Sequence, residues 1–150
     1  MNYSECIIKA KDRIGKFCKA CPECNGRACK NQMPGPGSKG IGDTAVRNYD
    51  KWKEIRVQMD TIAENKPVDT SLELFGKTFC YPVFAGPVGA VSLHYGDCLD
   101  DVAYNDILVS ACAENGIAAF TGDGVDSNVM VAATAAIKKA GGVGIDRKSV

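Results

Sequence analysis

The stretch FCKACPECNGRACK, residues 17–30, gathers four thiols, Cys18, Cys21, Cys24 and Cys29, in a chain that holds eight cysteines. Thiols so spaced can grip a metal, act as a redox device or staple a loop as disulfides. A tetrahedral zinc site needs four thiolate or imidazole ligands, and two CxxC-spaced turns can supply them. Ferredoxin-type clusters use CxxCxxCx3CP, whereas here the pattern is CxxCxxCx4C and no proline follows Cys29. Zinc, an iron-sulfur cluster and four reduced cysteines in a surface loop all stay open on this spacing. Cys6, Cys80, Cys98 and Cys112 read instead as small buried apolar residues.

Two other stretches carry a different chemistry. AGPVGAVSLHYGD, residues 85–97, and FTGDGVDSN, residues 120–128, are rich in glycine and other small residues. Such residues let backbone amides approach a flat or anionic ligand, because no side chain stands in the way. Either stretch alone mostly just makes a turn. Placed at adjacent strand ends, the two suggest a cofactor lying across both. His94 is the single histidine, and one histidine near a loop is more often a structural hydrogen-bonder than a base. Arg47, Arg56 and Lys77 read as surface charges. Tyr49 and Tyr95 can offer phenol donors, although Tyr49 lies on an apolar stripe where packing is its role.

The elements that must position these groups follow from periodicity. Tyr3, Ile7, Ala10, Ile14 and Phe17 recur at three- and four-residue steps, which predicts a helix over 3–17. A Gly- and Pro-rich connector, NQMPGPGSKGIGD, follows the cysteines. Asp43 is placed to cap a second helix whose Val46, Tyr49, Trp52, Ile55, Met59 and Ile62 share one face. From Asp69 the texture changes to two short strands around a Gly76-Lys77 turn, then an apolar strand over 83–85. A helix over 100–114, with Tyr104, Ile107, Leu108, Ala111 and Cys112 inward, ends at Asn115-Gly116. A buried strand at 117–120, a helix over 127–139 closed by Gly141-Gly142 and a third strand at 143–145 complete the pattern. Short apolar strands alternating with helices predict an α/β fold with a parallel sheet, since parallel neighbours need a helical crossover. In such units ligands bind at the C-terminal ends of the strands, where both Gly-rich stretches lie.

At 150 residues the chain can bury a core without staples. Eighteen basic and 18 acidic side chains give a formal net charge of zero, which leaves no global field for nucleic acid or an anionic membrane. A small ligand is the expected partner. The N-terminal residues lack an apolar signal core and no apolar run reaches the roughly 18 residues a span needs, so the chain reads as cytoplasmic. In a reducing cytosol the cysteines are free thiols or metal ligands before they are disulfides.

The run GDTAVRNYDKW, then PVDTSLELFGKTFCYPVFAGPVGAVSLHYGD, then ACAENGIAAFTGDG resembles the FMN-dependent 2-hydroxy-acid dehydrogenase and oxidase family. It looks closest to the clostridial-type alpha-hydroxy-acid oxidizing proteins, which are also similar in CPECNGRAC and PGPGSKG. The resemblance implies the N-terminal portion of a (β/α)8 TIM barrel, residues 43–150, behind a helical, Cys-rich N-terminal extension, residues 1–42. It implies FMN as cofactor, with Ala85, Gly86, Pro87, Val88 and Gly89 beside the isoalloxazine and Thr121, Gly122 and Asp123 at the second rim. Thr121 is the residue placed to offer a hydroxyl there. His94 does not correspond to the family's catalytic histidine. That histidine, the substrate-clamping arginines and the lysine near the flavin belong to the second half of the barrel, so no catalytic residue is expected in this chain.

Oxidising a 2-hydroxy acid, such as one like lactate or glycolate, to the 2-oxo acid takes a base for the hydroxyl proton, cations for the carboxylate and a flavin to accept the equivalent of a hydride. The sequence offers the flavin platform alone. The chain is therefore expected to be the N-terminal part of a longer enzyme, inactive by itself and, with its exposed strand edges and apolar faces, unstable, associating or in need of the missing half; the complete enzyme is expected to be a homo-oligomer. Two other readings stand beside this one: a small iron-sulfur or zinc protein built on the four thiols, and an FMN barrel with another substrate, as in the type 2 isopentenyl-diphosphate isomerases.

Overall fold

The computed structural model describes residues 2–32, 35–37, 41–124 and 126–146. Part of the PGPGSKG connector and most of the terminal DRKSV lie outside the described residues. Two compact units emerge: one holds residues up to Asn65 together with Ser92–Cys98, the other Lys66–Val91 and the chain from Leu99 onward.

In the first unit, helix α1 spans Tyr3–Arg13 and starts with a capping box: Asn2 accepts the Glu5 N–H at 2.9 Å while the Glu5 carboxylate accepts the Asn2 N–H at 3.0 Å. The helix stops short of the predicted residue 17 because Gly15 is needed elsewhere. Its N–H donates to the Tyr95 carbonyl at 2.5 Å, and a Cβ there would stand 3.0 Å from Gly96. Backbones so close pull the chain into an extended conformation at Ile14. Helix α2, Asp43–Trp52, is also shorter than its apolar stripe. Its cap position is Gly42, in the left-handed region at φ 72°, and Asp43 sits inside the first turn, where its charge favours the helix dipole. Beyond it, residues 53–70 form no helix or strand, and Ile55, Met59 and Ile62 are 62%, 80% and 97% exposed. An apolar stripe with no surface to bury it does not sustain a helix, because most helical stability comes from packing.

In the second unit, β1 (Leu72–Leu74) and β2 (Lys77–Phe79) form an antiparallel hairpin. The turn residues are Phe75 and Gly76, at φ 52° and 70°, rather than Gly76-Lys77. Two positive φ values in a two-residue loop match the twist of the flanking strands. Strand β3 (Phe84–Ala85) pairs in parallel with β4 (Ala118–Ala119) in the register Phe84↔Ala118 and Ala85↔Ala119. The predicted third strand is present as a single parallel bridge from Phe120 to Ile145, with Ile145 N–H to Ala119 O at 2.8 Å and Thr121 N–H to Ile145 O at 3.0 Å. Between β3 and β4 run the short α3 (Val91–Tyr95), which the sequence pattern does not predict, and α4 (Asp101–Glu114). The parallel strands and helical crossover make this unit α/β; among the described residues the sheet is not a closed barrel.

Helix α4 is capped by Asp100, whose carboxylate accepts the Ala103 N–H at 2.7 Å. Its buried face is Asn105, Val109 and Cys112, so the predicted face is turned: Ile107 and Ala111 point outward. Helix α5 runs over the predicted residues, Ser127–Lys139, and Gly141 and Gly142 follow it at φ 70° and 77°. The core joins Val109, Cys112, Ala119 and Ala136. Phe79, Phe84 and Phe120 stack edge to face in sequence, with centroids 5.6 and 6.4 Å apart. Cys112 is buried as predicted, whereas Cys6, Cys80 and Cys98 are exposed: the first lies on a helix that buries nothing, the others on loops. Among the described residues no helix is long and apolar enough to cross a membrane.

Candidate functional site

The two Gly-rich stretches meet where the parallel strands end. After β3 the chain runs through Gly86, Pro87, Val88, Gly89 and Ala90 before α3; after β4 it runs through Phe120, Thr121, Gly122 and Asp123. The rims are pressed backbone to backbone. A Cβ on Gly122 would collide with the Val88 carbonyl, and one on Gly89 with the Asp123 carbonyl. The Ala90 N–H donates to Asp123 O at 3.2 Å, with Ala90 held at φ 50°. These two glycines are thus required by the protein's own packing.

Gly86 is different. It is exposed beside exposed Pro87, its φ is ordinary, and a Cβ on it would meet nothing within 4 Å. Here the rim leaves open space in front of a backbone without a side chain, which suits a flat ring laid against it.

Behind the rims four hydrogen bonds hold the loops. Asn105, reaching up from α4, accepts the Gly122 N–H at 3.2 Å and donates to the Gly122 carbonyl at 3.4 Å. The Thr121 hydroxyl donates to Asp146 at 2.6 Å, so the hydroxyl expected to face a flavin is committed inside the unit. Asp101 accepts the Val91 N–H at 3.0 Å and fixes the end of the first rim. Of these residues, Asn105, Asp101 and Asp146 were not candidates on sequence. Asn105 had a signal: drawn through 105, 109 and 112, the inward stripe of α4 contains one polar residue, and a buried polar side chain needs a partner.

The remaining candidates fall elsewhere. His94, in the first unit, is half-buried, and its Nδ1 is buried with no hydrogen-bond partner among the described residues. Tyr49 donates its phenol to Glu23 and lies under the Lys53 ammonium, 4.3 Å from the ring centroid. The Glu23 hydrogen bond pushes the Tyr49 pKa up, with lesser upward contributions from burial and the Glu23 charge. Lys77 donates to the Gly141 carbonyl at 2.7 Å, and Arg47 and Arg56 are exposed.

Cys18, Cys21, Cys24 and Cys29 line one cavity of about 360 Å³ together with Tyr49 and Trp52. Burial raises the Cys29 thiol pKa, and Cys24, Cys18 and Cys21 push it further in the same direction. The Cys18 sulfur accepts the Ala20 N–H at 3.5 Å. The thiols share a space but do not converge: among the described residues no three His, Cys, Asp or Glu side chains form a group able to hold a metal ion. The zinc or iron-sulfur expectation therefore finds no assembled ligand set, since thiolate ligands must all lie within about 2.3 Å of one zinc.

The family described as FMN-dependent dehydrogenase matches residues 36–142, which take in both rims and the helices behind them. The chain belongs to that family, and membership implies an oxidoreductase that uses FMN. No curated protein and no solved structure matches the chain.

Proposed function

We propose that residues 85–89 and 121–123 seat FMN in an oxidoreductase that converts a small 2-hydroxy acid, lactate- or glycolate-like, to the 2-oxo acid. The observation that carries the reading is the open edge at Gly86 and Pro87, beside rims whose other glycines are consumed by packing. Ala85, Gly86, Pro87, Val88 and Gly89 offer backbone to one side of the ring. Thr121 and Gly122 act from behind through the bonds to Asp146 and Asn105, and Asp123 supports Ala90 through its carbonyl.

Bound FMN supplies an acceptor for the equivalent of a hydride. The base that takes the hydroxyl proton and the cations that clamp the carboxylate belong to a part of the enzyme beyond this chain. In this reading residues 43–150 form the first part of a TIM barrel, 1–42 an N-terminal extension of the clostridial type, and the complete enzyme is a cytoplasmic homo-oligomer.

The test is a titration of the chain with FMN, followed by flavin fluorescence and by the shift of its absorbance bands. Wild-type chain should saturate, and Gly86→Val should bind at least about tenfold more weakly, the worth of roughly 1.4 kcal/mol, with an unchanged melting temperature. A Gly86→Val chain that takes up FMN like wild type would place the seat elsewhere. Anaerobic bleaching of the bound flavin by lactate or glycolate on this chain alone would refute the assignment of the base to another part.

A further inference from the structure

We propose that Asn105 is the positioning residue of the flavin seat: from inside α4 it holds the Gly122 peptide by both of its polar groups and so fixes the spacing of the two rims. The inference rests on the FMN reading above. Gly122 is the first residue past the point where the sheet can help it. Phe120 N–H still finds Ala85 O at 2.9 Å and Thr121 N–H finds Ile145 O at 3.0 Å, but at Gly122 the strand partners run out. Gly122 is buried, so its peptide groups must be satisfied by something other than bulk water. The Asn105 carboxamide takes the place of the absent strand, accepting the N–H at 3.2 Å and donating to the carbonyl at 3.4 Å.

The residue type is dictated by the task. A carboxamide presents an acceptor and a donor in one plane; an ionised carboxylate only accepts and an ammonium only donates. Asn105 is 1% exposed on the same face as Val109 and Cys112, where an apolar side chain would otherwise be at home. Burying an amide there is costly unless both halves are bonded, and both are. The hold is transmitted by contact. With Gly122 fixed, the Val88 carbonyl lies against its Cα, Gly89 lies against Asp123, and Ala90 bonds to Asp123, so the open edge at Gly86 and Pro87 is set from α4. Asn105 itself does not line that edge and acts through Gly122.

The experiment compares wild type, Asn105→Leu, Asn105→Ser and Val109→Ala in the full chain. Val109 is fully buried on the same helix, in the core with Cys112, Ala119 and Ala136, and makes none of the rim hydrogen bonds, so its truncation loosens core packing without removing a rim bond. Each variant is read by FMN titration, melting temperature and amide hydrogen exchange at Gly122 and Ala90. Asn105→Leu should weaken FMN about tenfold or more and accelerate exchange at both amides. Asn105→Ser, which keeps one polar atom and serves if the leucine variant does not fold, should weaken FMN and accelerate exchange to a smaller degree. Val109→Ala should melt earlier yet keep its FMN affinity. The proposal is overturned if an Asn105 variant binds FMN like wild type with unaltered exchange, or if Val109→Ala loses FMN in proportion to its lost stability. A wild-type chain that takes up no FMN would instead sink the flavin reading and the proposal with it, an outcome distinct from either.

Discussion

The Thr121 hydroxyl donates to the Asp146 carboxylate at 2.6 Å from a side chain with no solvent exposure, tying the end of β4 to the segment after Ile145. Thr121→Val keeps the shape and removes the donor, leaving the carboxylate with one bond fewer. It should cost about 1–3 kcal/mol of stability and weaken FMN only in step with that loss, because the hydroxyl is directed into the unit and steadies the second rim from behind. Thermal melts and a flavin titration check both halves, and a variant of wild-type stability with weakened FMN would place the hydroxyl on the cofactor instead.

Phe75 occupies the first loop position of the β1–β2 hairpin at φ 52° and is 77% exposed. A side chain pays for the left-handed region at this position, whereas asparagine tolerates it. Phe75→Asn should therefore stabilise the protein by about 1 kcal/mol, seen as a higher melting temperature. A lower one would mean that the phenyl ring contributes packing outweighing the backbone strain.

Burial raises the pKa of the Cys112 thiol above its ordinary 9.0, and Tyr104 is raised by burial first and by Cys112 second. Both groups hold their protons more tightly folded than unfolded. Their contribution to stability is full below the unfolded values and is lost as pH rises through the raised folded ones. Melting temperature should thus decline above about pH 9, and less steeply in Cys112→Ala than in wild type. Parallel curves for the two proteins would show that Cys112 ionisation is not coupled to folding.

The four clustered thiols should differ in reactivity. Cys24 is exposed, while Cys29 is half-buried with a pKa raised by burial and by its three neighbours. Since the thiolate is the reactive form, iodoacetamide near neutral pH should modify Cys24 well before Cys29, as resolved by peptide mass spectrometry. Equal rates at the two positions would contradict the described burial.

What the sequence revealed and what it hid follow from how local each signal was. Helix α5 was legible to the residue because a run of Ala and Val and the closing Gly141-Gly142 are signals within the segment. The tail of α2 was not: Ile55, Met59 and Ile62 have helical spacing, but nothing packs on them. Phe75 hid the turn position because its side chain carries no turn signal. The two rims were visible through their glycines, while Asn105 and Asp146 hold them from 17 and 25 residues away in sequence. Asn105 left one trace, a polar position on the inward stripe of α4, while Asp146 left no local pattern.

The close fit of Gly89 and Gly122 against each other's loops has an evolutionary consequence. The space a side chain would need at either position is already filled by backbone from the other rim. Neither loop can drift by single substitutions while its partner stands still, so the pair behaves as one heritable character. A viable variant of these loops should arise through paired changes, and grafting one loop alone onto a related protein should fail where grafting both succeeds.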